Sequence, residues 1–206
     1  MMSNKKLNKK VQSYWEDETC GTSQNVISGS VKYSSEYFEK IENHRYSIEP
    51  FIHSWAQFTR YKGKKILEVG VGAGTDHLQW ARAGAKCHGV DLTKAGIVTT
   101  KKHLEAHNLS SDLKQIDAEK LPFNDNSFDV VYSWGVIHHS KHPDRIISEI
   151  HRVLKKNGIF IGMMYGRRSL VVIKYWIKYA LLSGKPWRSP KDVIWNHMES
   201  IGTKAY

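Results

Sequence analysis

The sequence predicts an α/β fold in which a doubly wound, mainly parallel sheet carries helices on both faces. Apolar segments of strand length alternate with amphipathic segments of helical length between about residues 63 and 165. One of the strand-like segments, "KKILEVG", is apolar on both faces, as a central parallel strand must be. This alternation implies right-handed crossovers and a ligand site at the carboxyl ends of the strands.

Composition sets limits on size, partners and location. The chain has 206 residues and is 40% hydrophobic, which suffices for one domain with a buried core but not for two ordinary domains. Its net charge of +11 admits nucleic acid, anionic lipid or an acidic substrate as partners without choosing among them. No apolar stretch follows the lysines of "MMSNKKLNKK", so we expect no secretory signal and a cytoplasmic location. Cys20 and Cys87 lie far apart, which indicates neither a disulfide framework nor a zinc knuckle.

Changes of pattern divide the chain into four segments. Residues 1–34 read as a basic flexible arm and loop, 35–62 as a helical segment, 63–165 as the sheet domain and 166–206 as a helical lid or edge segment. Two short helices are expected in the second segment because its large apolar side chains recur at helical spacing.

The elements of the sheet domain follow one another regularly. After "KKILEVG" come a helix over "TDHLQWARAGA" that ends at Gly84, a strand through "KCHGVD", and a helix that opens at Thr93. The third strand is "DLKQID", and the fourth, "FDVVYSW", has the highest β propensity in the chain. A helix from Asp144 to Lys155, stopped by Asn157 and Gly158, leads to a fifth strand, "IFIGMMY".

The last segment contains "SLVVIKYWIKYALLSG", a helical stretch dense in large apolar side chains. Lys174 and Lys178 would lie in hydrocarbon if it crossed a bilayer, so we expect no membrane span. A helix packed on the sheet edge, a lid over a lipophilic substrate and a membrane-surface helix remain three alternatives for it.

The glycine loop after the first strand separates classes of cofactor. A strand, a glycine loop and a helix N-terminus form a site for anions or polar ligands because backbone N–H groups are accessible there. The dinucleotide pattern G-x-G-x-x-G would need a third glycine where Thr75 stands, and the loop instead reads G-x-G-x-G. The surrounding residues do not form a P-loop either.

Carboxylates near this loop favour a cationic nucleoside cofactor. Glu68, two residues before Gly70, would repel a pyrophosphate and attract a cation. S-adenosylmethionine has no phosphate and carries an ammonium group, so it fits this charge. Asp91 follows Gly70 by 21 residues, the separation expected of a carboxylate that binds ribose hydroxyls. Asp117 could accept a hydrogen bond from an adenine amino group, with the Ala118 backbone at another ring edge.

Three segments together resemble the class I S-adenosylmethionine-dependent methyltransferases, in particular the methyltransferase type 11 group. They are "LEVGVGAGTDHLQWARAGAKCHGVDLT", "DAEKLPFNDNSFDVVYSWGVIHH" and "ISEIHRVLKKNGIFIG". The resemblance covers about residues 63 to 164 and implies a Rossmann-like sheet. It also implies a set of cofactor-binding residues, namely Glu68, Gly70, Gly72, Gly74, Asp91, Leu92, Asp117, Ala118, Ser133 and Trp134.

The same resemblance extends expectations to both ends of the chain. The segment "YFEKIENHRYSIEPF" is similar to one that covers the cofactor in some relatives, which makes Arg45 a candidate for the cofactor carboxylate. The family sheet normally finishes with an antiparallel hairpin after the fifth strand. The residues after Tyr165 read mostly as helix, so we expect that hairpin to be incomplete.

The expected activity is methyl transfer to a small-molecule acceptor, with lipophilic molecules among the candidates, by in-line displacement at a sulfonium. His138 and His139 follow the fourth strand and are candidates for a general base. A metal site from His138, His139 and His142 is not expected, because Pro143 interrupts the helical register and no acidic ligand is placed with them. A nucleic-acid methyltransferase, an NAD(P)-dependent oxidoreductase and a non-catalytic cofactor-binding module remain as alternatives.

Overall fold

The computed structural model describes residues 4–200 and 202–206. Its helices are α1 (Asn4–Asp17), α2 (Gln24–Ile27), α3 (Ser35–Ile48), α4 (Ile52–Ala56), α5 (Thr75–Arg82), α6 (Lys94–Glu105), α7 (Pro143–Val153), α8 (Leu170–Trp176) and α9 (Pro190–His197). Its strands are β1 (Lys65–Val69), β2 (Lys86–Asp91), β3 (Asp112–Gln115), β4 (Phe128–Trp134) and β5 (Leu154–Met163). Single 3₁₀ turns lie at Phe58–Tyr61 and Ile137–His139.

The five strands form one sheet in the order β3-β2-β1-β4-β5, and every pairing in it is parallel. The chain reverses direction across the sheet between β1 and β4, which creates a crevice at their carboxyl ends. The predicted α/β class with a doubly wound parallel sheet is confirmed. The five strands are also those predicted from the sequence, with shifted ends.

Alternate residues of the central strands fill two cores, one on each face of the sheet. On one face Ile66 and Tyr132 pack with Trp80 of α5 and Phe58. The other face buries aliphatic side chains of β1, β2, β4 and α7: Leu67, Val69, Val90, Val131, Ile146 and Ile150. Because both faces of β1 are buried, its tip and the glycine loop after it are held in a fixed position.

The N-terminal segment is helical, which corrects the expected flexible arm. Leu7 and Val11, one turn apart on α1, are 2% and 5% exposed, so the helix has a buried face despite its lysines. Glu16 accepts hydrogen bonds from the backbone N–H groups of Lys94 and Ala95 at 2.9 Å each. This contact caps α6 and ties α1 to the rim of the crevice. The sequence did not predict this helix because its apolar stripe is short and lies among lysines.

The C-terminal part differs from the predicted boundaries. Helix α7 ends at Val153 rather than Lys155, and β5 begins at Leu154 with an irregular stretch before Ile159 takes up regular pairing with Val130. The apolar stretch after Ser169 forms α8 and a π-helical turn at Ile177–Leu181. Among the described residues, no helix is long and apolar enough to cross a membrane.

Candidate functional site

A cavity of about 420 Å³ opens at the carboxyl ends of β1, β2 and β4. Most of the residues predicted to bind a cofactor or act on an acceptor line it: Arg45, Glu68, Gly70, Gly72, Asp91, Leu92, Asp117, Ala118, Trp134 and His139. Gly74, Ser133 and His138 are adjacent but do not line it. The volume is within the range of small-molecule sites. The predicted residues therefore converge on one place in the fold, while their roles remain predictions.

The glycine loop passes too close to its neighbours for side chains. Gly70 has φ +83°, and a Cβ there would lie 2.3 Å from a methyl carbon of Val136. Gly74 has φ +76°, and a Cβ there would lie 2.9 Å from the Cα of Thr100. Both positions therefore need glycine for their backbone conformation and for close packing. The result is a loop that presents main chain to the cavity.

Asp91 joins this loop to the end of β2. Its Oδ2 accepts a hydrogen bond from the Gly72 N–H at 3.0 Å, and its Oδ1 accepts from the N–H and hydroxyl of Thr93 at 2.9 and 2.7 Å. These bonds orient the carboxylate at the cavity wall. The carbonyl of Leu92, next along the chain, accepts from the Gln12 side chain of α1 at 3.1 Å.

Asp117 and Ala118 form the wall beyond β3. Asp117 Oδ1 accepts from the Glu119 N–H at 3.0 Å, while the Asn8 amide of α1 donates to Asp117 Oδ2 at 3.3 Å. The predicted adenine contact would therefore lie beneath α1. The helix that the sequence analysis treated as an arm forms part of this wall.

Arg45 reaches the cavity but already has two acidic partners. Its guanidinium pairs with Asp76 at 2.8 Å and with Glu49. Asp76, only 6% exposed in the first turn of α5, also accepts from the hydroxyls of Tyr46 and Tyr132 at 3.0 and 2.8 Å. Arg45 thus links α3 to the glycine-loop helix. Its predicted contact with a cofactor carboxylate would have to be made in addition to these ion pairs.

Glu68 is a buried member of a hydrogen-bond chain. Its Oε2 lies 3.0 Å from Nδ1 of His77, and His77 Nε2 lies 2.9 Å from the Ser111 hydroxyl, which donates to the Cys87 carbonyl. Since Ser111 uses its proton on that carbonyl, it accepts from His77 Nε2–H, and we assign the proton between Glu68 and Nδ1 to the carboxyl.

The energetics of burial agree with this assignment. Burial, and then the nearby Asp76 and Asp91 carboxylates, raise the pKa of Glu68 well above its usual range. Burial, followed by the charge of His88, lowers the pKa of His77 to about 3. Glu68 is therefore neutral in the free protein. This differs from the expectation, based on the sequence, that Glu68 is a charged carboxylate before the cofactor binds.

The end of β4 provides two predicted residues in different environments. Ser133 is fully buried and donates its hydroxyl to the Val69 carbonyl at 3.0 Å, which fixes the β1–β4 contact. Trp134 lines the cavity, and its indole N–H donates to Glu49 at 3.2 Å. The tryptophan therefore contributes an apolar surface at the cavity wall.

The two candidate bases are also unequal. His139 lines the cavity, with its Nε2 3.1 Å from Oε2 of Glu199 and its ring 5.3 Å from that of Trp15. His138 lies behind it, fully buried, and burial lowers its pKa to about 3. Direct contact between His138 and an acceptor in the cavity would require the 3₁₀ turn to move.

The cavity is acidic although the protein is basic. Among the described residues that line it, six are carboxylic acids: Glu18, Glu68, Asp76, Asp91, Asp117 and Glu199. The same lining contains one Arg, Arg45, and no Lys. A polyphosphate would meet strong repulsion in such a site, whereas a cationic ligand would be attracted.

Sequence reasoning missed Asp76, Trp15 and Glu199 as cavity residues. Asp76 had a usable signal, since it is an acid in the first turn of the helix that the glycine loop opens. Trp15 and Glu199 come from opposite ends of the chain, and no local pattern brings them to His139.

Comparison with known proteins gives concordant matches. Residues 67–162 match the family described as "Methyltransferase domain". The chain is 38% identical over 112 residues to a phthiotriol/phenolphthiotriol dimycocerosates methyltransferase of Mycobacterium ulcerans, a match that covers 53% of this chain and 40% of the relative. It is 35% identical over 126 residues to a fatty-acid O-methyltransferase of Mycolicibacterium smegmatis. This match covers 60% of this chain and 44% of the relative. The chain therefore spans less than half the length of these relatives.

Among solved structures, the YcgJ protein of Bacillus subtilis superposes with a TM-score of 0.53 at 26% identity. The match covers 64% of this chain and 56% of that protein.

Proposed function

Because residues 67–162 form a class I S-adenosylmethionine-dependent methyltransferase domain of the type 11 group, we propose that the cavity binds S-adenosylmethionine and that the protein transfers its methyl group to a small lipophilic acceptor. The acidic lining is the observation that carries the proposal, since its described residues include six carboxyl groups and no lysine, which suits a phosphate-free cationic cofactor. The cavity volume of about 420 Å³ and the exposed main chain of the glycine loop are compatible with that cofactor.

The residues of this chain bind the cofactor, orient the acceptor and exclude water from the cavity. We assign Asp91 to the ribose hydroxyls, Asp117 and Ala118 to the adenine, and Glu68 to the ammonium. When bound, S-adenosylmethionine supplies a methyl group on a sulfonium that is already activated for displacement. Positioning the acceptor in line with that bond is therefore the main task of the protein.

Apolar and polar side chains that share the cavity lining suit the acceptor. Trp15, Trp134 and Ile48 provide apolar surface there, beside the polar pair of His139 and Glu199. An acceptor with an apolar body and a hydroxyl or carboxyl group would match both features. The two relatives described above are named for lipid and fatty-acid substrates, which supports this acceptor class.

The segment after Ser169 supports contact with a membrane surface, from which such an acceptor would come. Leu170, Leu182 and Trp187 are 83%, 78% and 78% exposed, and Lys174 and Lys178 lie on the same helical stretch. Exposed apolar side chains with flanking lysines favour anionic lipid surfaces. We place this activity in the cytosol, where the free thiols of Cys20 and Cys87 remain reduced.

Transfer from radiolabelled S-adenosylmethionine tests the activity. Purified protein would be given long-chain fatty acids, long-chain alcohols or RNA, and extracted product would be counted. The proposal predicts label in the lipid fraction and its loss in Asp91→Asn. Label in RNA alone, or in no acceptor while the cofactor binds, would contradict the lipophilic-acceptor assignment.

A further inference from the structure

Three side chains with metal-binding atoms converge at the wall of the cavity. His138 and His139 stand in the 3₁₀ turn after β4, and Glu199 follows α9. One ligand atom of each, a ring nitrogen or a carboxylate oxygen, lies within 4.8 Å of the other two. His139 and Glu199 face the cavity, and His138 closes the group from behind.

The hydrogen bonds around His139 favour one of its tautomers. The Thr203 hydroxyl donates to the Ser200 carbonyl at 2.7 Å, so its oxygen acts as an acceptor toward His139 Nδ1, 3.0 Å away. The Ser200 oxygen, 2.9 Å from the same nitrogen, shares that proton. Neutral His139 therefore carries its proton on Nδ1 and a lone pair on Nε2.

Another electron-rich atom lies close to that lone pair. His139 Nε2 lies 3.1 Å from Oε2 of Glu199, and it has no hydrogen-bond donor among residues 4–200 and 202–206. Two acceptors at this distance repel each other unless a cation or a second proton lies between them. A neutral His139 imidazole and a Glu199 carboxylate therefore lack the cation or proton that would stabilise their contact.

His138 adds an unpartnered imidazole to the same place. The side chain is 0% exposed, and neither ring nitrogen has a hydrogen-bond partner in the described part of the chain. The ring packs 4.4 Å from that of His139 and 4.3 Å from that of Tyr165. A buried polar atom without a partner costs about 1–3 kcal/mol, so the lone pair of His138 requires an explanation.

We propose that His138, His139 and Glu199 bind a divalent transition-metal ion, and that the ligand set selects Zn²⁺. Two histidines and one glutamate form a known type of zinc site in which a fourth position stays open. A cation would satisfy His139 Nε2 and the lone pair of His138, and it would relieve the contact between His139 and Glu199. Ligand atoms about 2.1 Å from zinc stand roughly 3.4 Å apart. His139 Nε2 and Glu199 Oε2 are already 3.1 Å apart, so zinc binding requires no approach within this pair and draws any other pair of ligand atoms together by no more than about 1.5 Å.

Outer contacts already orient two of the three ligands. Thr203 and Ser200 hold the Nδ1 side of His139, and the Tyr165 hydroxyl donates to Oε1 of Glu199 at 2.7 Å. Such partners fix the tautomer and direction of metal ligands. The open position would face the cavity, where the ion could bind an acceptor oxygen and lower the pKa of a hydroxyl. Metal binding itself requires neither methyl transfer nor cofactor.

Metal titration of the untagged, chelator-treated protein tests the proposal without cofactor or acceptor. Calorimetry with Zn²⁺ should give one equivalent of tight binding, and Co²⁺ should produce the intense visible absorption of a tetrahedral site. Glu199→Gln and His138→Gln should each weaken the site at least about tenfold, since each removes a ligand. His44→Gln is the matched control, because His44 lines the same cavity away from the cluster.

Thermal unfolding separates loss of the site from loss of the fold. Zn²⁺ should raise the unfolding midpoint of the unmodified protein and of His44→Gln, but not of Glu199→Gln. Absence of stoichiometric binding in the unmodified protein would overturn the proposal. Metal binding that survives in both ligand variants would overturn it as well. An imidazolium signal of His139 in both metal-free and metal-treated protein would also overturn it, because it would identify an ion pair between His139 and Glu199 instead of a metal site.

Discussion

At the scale of single residues, carboxylates decide which cofactor this cavity suits. Asp76 and Asp91 lie in the cavity lining beside the glycine loop, so the site repels phosphate although the whole chain carries a charge of +11. The sequence indicated the roles of Glu68 and Asp91 from their positions relative to Gly70. It did not indicate that Glu68 would be buried against His77, because that pairing depends on packing between β1 and α5.

Asp91→Asn should weaken the binding of S-adenosylmethionine by about 10- to 100-fold. The change removes the charge of the acceptor, and one hydrogen bond to a charged group contributes about 1.5–3 kcal/mol. Titration calorimetry measures the effect. Asp112→Asn, at the opposite end of the sheet, is the matched control and should bind normally. Equal affinities of the two variants would remove Asp91 from the site.

The affinity for S-adenosylmethionine should rise with pH because of Glu68. Burial raises its pKa, so the carboxyl is protonated below that pKa and becomes the anion that attracts an ammonium above it. Binding should therefore release a proton, with up to about a tenfold gain in affinity per pH unit as the pH rises toward the raised pKa of Glu68 in the free protein.

Glu68→Gln tests this assignment, because a glutamine can still donate to His77 Nδ1 but cannot ionise. Calorimetry in buffers of different ionisation enthalpy would count the protons released. A flat pH profile in the variant and a sloping one in the unmodified protein agree with the assignment. Identical profiles would show that another group titrates.

At the scale of elements, the glycine loop and α1 both contribute residues to the cavity lining. The loop could be predicted from the sequence because its glycines and the flanking strand are local signals. Helix α1 was hidden, since its apolar stripe of Leu7 and Val11 is short and surrounded by lysines. Its buried face exists only because the rest of the domain provides a surface for it.

Gly74→Ala should destabilise the fold more than Gly63→Ala does. Both glycines have nearly the same positive φ, +76° and +75°, so both variants bear the cost of a side chain in the left-handed region, about 1 kcal/mol. Only at Gly74 does the new methyl group meet backbone, 2.9 Å from the Cα of Thr100. Denaturant unfolding should show an additional loss of about 1–3 kcal/mol. Equal losses would mean that the loop is not closely packed on α6.

A charge on the buried face of α1 should accelerate release of the cofactor. Val11 is 5% exposed and lines the cavity, so Val11→Asp places an unpaired charge beneath the helix and detaches it. Ser13→Asp adds the same charge on the exposed side of α1. Stopped-flow dissociation should be several-fold faster only in the first variant, and equal rates would show that α1 does not cover the cofactor.

At the scale of the whole molecule, topology determines where the chemistry can occur. The order β3-β2-β1-β4-β5 places the ends of β1, β2 and β4 around one crevice, and strand periodicity was enough to predict it. The acceptor side could not be predicted in the same way. Trp15 lies more than a hundred residues before His139 and Glu199, and these two are sixty residues apart. Only the folded chain brings the three together.

Titration calorimetry of the unmodified protein with S-adenosylmethionine and with NAD tests the central claim most directly. The acidic lining, in which the part of the chain that the structure describes places no lysine, predicts saturable 1:1 binding of S-adenosylmethionine and no measurable heat with NAD at the same concentrations. Binding of NAD with equal or higher affinity would contradict the account.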